Sequence, residues 1–189
     1  MEQHKLFMIL IGCKPTGRNT EQHDIFFGIG NSMKDIIPQI ENFWPDAGKM
    51  HIDGWREVTR VDNYSIKIIS HTAEQASSPA KLFFLNLGGY KENEFEEFHY
   101  KMLTVSPDKG EAIKKAKQTA FYKHTGFAGG AESHIDDKYG VDVDDIYEIE
   151  DILPASLKSQ YNIQLTEITD VKQPCDKLQL GYFKLNSFQ

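Results

Sequence analysis

Residues 5–11 (KLFMILI) and 81–87 (KLFFLNL) are near-continuous apolar runs, the pattern of strands buried on both faces. A polar loop follows each run, opening at Gly12 or Gly88. The period then becomes two. His23, Ile25, Phe27 and Ile29 alternate with Asp24, Phe26 and Gly28, which predicts a second strand. Next, Met33, Ile36, Ile37, Ile40 and Phe43 recur at helical spacing behind a capping signal, Ser32 with Asp35. Pro38 inside that pattern predicts a kink or a later start, and Pro45 a stop. Asp108 with Glu111 opens a second helix, with Ala112, Ile113, Ala116 and Ala120 on one face and an end near Gly126. Two more strands close each stretch, near 50–59 with 64–70 and near 133–136 with 145–152. Residues 161–168 and 177–185 alternate as a final strand pair, and 153–160 has room for one helical turn.

The same order of patterns thus occurs twice. Without a gap, residues 5–37 align with 81–113, matching Gly12 with Gly88, Glu21 with Glu97 and His23 with His99. Residues 51–69 align with 134–152, led by His51-Ile52-Asp53 over His134-Ile135-Asp136. The second alignment needs seven extra residues, which the Gly-rich stretch 126–132 can supply. Ordered matches of this kind point to an internal duplication. The expected fold is α+β: two pseudo-symmetric strand–strand–helix–strand–strand repeats packed together, plus a C-terminal strand pair. The boundaries read as 1–76 for the first repeat, 77–153 for the second and 154–189 for a hairpin extension, forming one compact body. Because such a pseudo-dimer covers its own apolar faces, a monomer is expected.

Composition narrows the partners. Twenty-one Lys plus Arg against 28 Asp plus Glu give a net charge of −7, which speaks against nucleic acid and an anionic membrane surface. The run at 6–11 is too short to span a bilayer, and no small-residue cleavage site follows it. Two cysteines, Cys13 and Cys175, make no disulfide framework. A soluble, cytoplasmic protein is expected.

The chemistry-bearing residues fall in short pairs. Glu21 and His23, like Glu97 and His99, are two apart and share a strand face. His51 with Asp53, and His134 with Asp136, repeat that logic. A carboxylate beside an imidazole orients the ring or shares a cation with it. If the strands lie side by side, His23, His51 and Asp53, or His99, His134 and Asp136, could hold Zn²⁺ or a similar ion. The competing reading is that each acid only hydrogen-bonds its histidine. No cofactor is otherwise implied. Trp55-Arg56-Glu57 offers an aromatic face and a guanidinium fork for an anionic ligand, with Arg18 in the preceding loop, or else a surface Arg–Glu pair beside a half-buried Trp.

Four leads fail on inspection. Residues 12–19 (GCKPTGRN) echo a phosphate-binding loop but carry Arg-Asn where Lys-Ser/Thr is required, and a strand follows. The acids between Asp136 and Asp151 put Lys138 and Gly140 where an EF-hand needs ligands, leaving a solvated acidic face. Residues 126–130 (GFAGG) lack a dinucleotide fingerprint. Cys13 with His23 as base lacks a third group, and Gly89 replaces it in the second repeat.

At KLFMILIGCKPTGRNTEQHDIFF, FWPDA and HIDGWREVTRVDNYSI the chain resembles a bacterial family catalogued as domain of unknown function 1543, which occurs in one or two copies. The resemblance covers roughly residues 4–153, better in the first copy. The second has Lys138-Tyr139-Gly140 in place of Trp-Arg-Glu. It implies no reaction, cofactor or catalytic residue. The leading expectation is therefore a non-enzymatic binding module, taking a small molecule or protein in a groove between the repeats at Trp55 and Arg56. The alternative is a metal-assisted hydrolase with His23, His51 and Asp53 as ligands and Glu21 as base. A third is an accessory subunit with an exposed apolar patch.

Overall fold

The structure is a computed structural model that describes residues 3–73, 79–90, 93, 95–118, 141–169 and 176–188. Its contacts divide the chain into two units, Met1–Ala76 with Leu153–Gln189, and Ser77–Ile152. The fold is α+β, with antiparallel sheets and few helices.

The first unit is built on β1 (Lys5–Cys13), β2 (Gln22–Gly30), α1 (Met33–Phe43) and β3 (Met50–Glu57). The apolar run of β1 takes the centre of its sheet, with β2 on one side and β3 on the other, both antiparallel. The predicted start of α1 is borne out: Asp35 accepts hydrogen bonds from the backbone N–H groups of Asn31 (2.8 Å) and Ser32 (3.1 Å). Met33, Ile36, Ile37 and Ile40 are buried against Phe7, Ile9, Ile11, Phe26 and Ile52 of the sheet. Each such side chain contributes about 1.5–3 kcal/mol on full burial. Pro38 neither delays nor divides α1. It sits on the exposed side of a continuous helix, where its missing N–H leaves the Lys34 carbonyl without a helical donor. A second sheet joins β4 (Arg60–Val61), β5 (Tyr64–Ser70) and β9 (Tyr161–Glu167).

The two C-terminal strands form as the alternation predicts, but they are not hydrogen-bonded to each other. β9 pairs with β5, whereas β10 (Gln179–Lys184) extends the first sheet beside β3. Alternation shows that a segment is a strand; it does not name the neighbour. The predicted helical turn is Ala155–Lys158.

The second unit repeats the order with β6 (Lys81–Tyr90), β7 (Glu97–Ser106), α2 (Lys109–Ala116) and β8 (Val141–Glu148), in the sheet β7-β6-β8. Asp108 caps α2, accepting from the Glu111 N–H at 2.9 Å, and Ala112 and Ala116 are buried with Phe83, Leu85 and Leu87. α2 ends at Ala116, before the predicted Gly126, and residues 119–140 lie outside the described ones. So do His134 and Asp136. The predicted strand at 145–152 is half right: it ends at Glu148, and Ile149–Ile152 is helical. Among the described residues no helix is long and apolar enough to cross a membrane.

Candidate functional site

Gly12, at the centre of the first sheet, pairs with His23 of β2 on one side and His51 of β3 on the other. The two histidine strands are therefore not neighbours, as the pair logic assumed; β1 separates them. Their rings reach across a residue that has no side chain. A Cβ on Gly12 would collide with the His51 ring and lie 2.7 Å from Asp53 Oδ2. This row is the floor of the site.

A bulge supplies the fourth group. Ile11 faces Ile52 but Leu10 faces Gly54, so Asp53 is the extra residue on β3. Asp53 keeps the face of His51, and everything after it is inverted. Trp55 therefore turns to the helix-bearing face, beside Phe7 (ring centroids 6.1 Å apart) and edge-on to Phe188 (6.5 Å). Trp55, expected as a ligand contact, is half-buried in the core. Arg56 falls opposite Met8, half-buried, and Glu57 pairs with Lys5 at 2.8 Å rather than with Arg56. Arg18 is exposed in the β1–β2 turn, its N–H donating to the Pro15 carbonyl. That turn joins two strands, so the echo of a phosphate loop ends there.

Four predicted residues do converge. His51 Nε2 lies 3.1 Å from Glu21 Oε1 and 3.2 Å from Asp53 Oδ1. His23 Nε2 lies 3.2 Å from Asp53 Oδ2 and 3.8 Å from Glu21 Oε2. Each imidazole nitrogen thus stands between the same two carboxylates. Asp53 Oδ2 is buried and accepts no hydrogen bond among the described residues, despite the 3.2 Å approach of His23. His51 is buried, whereas His23 and Glu21 are open to solvent at about 45% of their side-chain area, so the site has a closed back and an open front. The Tyr182 ring stacks on His51 with centroids 4.3 Å apart, a contact from β10 with no signal in sequence spacing. Cys13, the next residue along β1, is fully buried. Burial first, and the Glu21 charge second, push its thiol pKa up, opposite to what a nucleophile needs.

The second unit reproduces part of this. Gly88 pairs with His99, and His99 Nε2 lies 3.8 Å from Glu97 Oε2. The partner of Gly88 on β8 is Asp142, and a bulge between Asn86 and Leu87 matches that between Leu10 and Ile11. Residues 142–144, not 134–136, therefore hold the register of His51-Ile52-Asp53. Asp144 stands where Asp53 does, 3.4 Å from His99 Nε2. The sequence repeat of His-Ile-Asp at 134 misplaced this strand. The acids of β8 are not simply a solvated face, since Glu148 pairs with Lys81 at 2.7 Å and Asp145 accepts from Asn86 at 3.3 Å.

Residues 18–68 match the family model described as Domain of Unknown Function (DUF1543). The matched stretch holds all four converging residues. The crystal structure of a protein Il1583 from Idiomarina loihiensis is similar, with a TM-score of 0.64 and 22% identity. The alignment covers 96% of this chain and 97% of that one, which shows a shared fold. No curated protein matches the chain.

Proposed function

We propose that the chain is a metal-binding protein whose first unit holds one divalent transition ion of the zinc class on Glu21, His23, His51 and Asp53. The supporting observation is the spacing. Tetrahedral ligands about 2.0–2.1 Å from an ion lie about 3.3 Å apart. Glu21, His23 and His51 offer donor atoms within 4.8 Å of one another, and Asp53 brings one oxygen to each imidazole at 3.2 Å. The buried, unserved Asp53 Oδ2 fits an oxygen meant for a cation. Two imidazoles with two carboxylates suit Zn²⁺ rather than Mg²⁺ or Ca²⁺. This reading replaces the binding module centred on Trp55, because Trp55 turns to the core.

A second reading, metal-assisted hydrolysis, draws on the exposure of Glu21 in the loop before β2. It is the ligand freest to leave, which would open a position for water and make Glu21 the base. The two units are inferred to descend from one duplicated ancestor, supported by the matching element order and bulge. A bacterial cytoplasm, where a buried thiol such as Cys13 stays reduced, is the proposed setting, and the chain is proposed to act as a monomer.

Titration of chelator-stripped protein with Zn²⁺ tests the proposal. One equivalent should bind tightly and raise the melting temperature by several degrees, since an ion at about 100 times its dissociation constant adds about 2.7 kcal/mol. His23→Ala with His51→Ala should abolish that rise. A rise that survives the double substitution refutes the site.

A further inference from the structure

We infer that the second unit carries its own site for a divalent cation such as Mn²⁺, formed by Glu97, His99 and Asp144. The three donor atoms lie within 4.8 Å of one another, with His99 Nε2 between the carboxylates at 3.8 and 3.4 Å. The fold makes room for them as in the first unit. A Cβ on Gly88 would run into the Asp144 carboxylate, meeting one oxygen at 2.8 Å and the other closer still.

The donor set differs from that of the first unit in one position. Where β3 has His51, the register places Asp142 on β8. One imidazole with two carboxylates has a larger share of oxygen donors than two of each, and carboxylate-rich sets accept Mn²⁺ in octahedral, partly hydrated coordination. All three residues are exposed, so water can complete the shell. The inference stands on different residues from the zinc proposal and does not require it.

Mn²⁺ alone is the probe, followed by loss of the free-ion electron paramagnetic resonance signal on titration into the full chain. Wild-type protein preloaded with one equivalent of Zn²⁺ should bind one Mn²⁺. His23→Ala with His51→Ala should leave that binding within twofold, even if the zinc site proves absent. His99→Ala and Glu97→Gln should each weaken it at least tenfold, with far-ultraviolet circular dichroism reporting that the fold is kept. Asp144→Asn, a near-isosteric change, should weaken it at least tenfold and decides the matter if the other variants misfold. Absence of Mn²⁺ binding at millimolar ion, or binding unchanged in Glu97→Gln and Asp144→Asn, overturns the inference.

Discussion

Gly12 is the position on which the first site turns. It lies between His23 and His51 in the sheet row, and any side chain there would occupy the space their rings converge on. Gly12→Ala should therefore leave the strand intact but lower Zn²⁺ affinity at least tenfold, as read by competition with a chromogenic chelator. Affinity unchanged in that variant would mean that the rings do not meet over Gly12. Glu21, His23, His51 and Asp53 were legible as pairs two apart, because strand geometry alone puts such residues on one face. Gly12 carried no comparable signal, since its importance comes from its cross-strand partners. Tyr182 was invisible for the same reason: its contact with His51 spans most of the chain.

Among the elements, the bulge in β3 matters most. One extra residue inverts the strand after Asp53, leaving the acid with its histidine and sending Trp55 to the core. Strict alternation, read from the sequence, would have put Trp55 on the site face; periodicity cannot show where a period breaks. The helix starts were read correctly because a cap is a local device, formed by Asp35 in α1 and Asp108 in α2. Pro38 misled because packing of Ile36, Ile37 and Ile40 outweighs the lost helical bond. Pro38→Ala should restore that bond and raise stability by about 1–3 kcal/mol in chemical denaturation. A neutral or destabilising result would show that the proline is accommodated without cost.

Over the whole molecule, the α+β class and the order of elements were present in the hydrophobic pattern. The contact-defined units fall at Met1–Ala76 and Ser77–Ile152, with the tail assigned to the first. What the pattern lacked was long-range pairing. β9 and β10 read as a hairpin because they follow one another, yet each completes a different sheet. A chance His-Ile-Asp at 134 also outscored the true structural match at 142–144, which shares only its aspartate. In the register position that His51 holds in the first unit, the second has Asp142.

X-ray absorption at the zinc edge, on full-length protein loaded with one equivalent of Zn²⁺, tests the central claim most directly. The account predicts a shell of nitrogen and oxygen at about 2.0–2.1 Å with the multiple-scattering pattern of two imidazoles, falling to one in His23→Ala. A sulfur shell near 2.3 Å, or no imidazole at all, would contradict it.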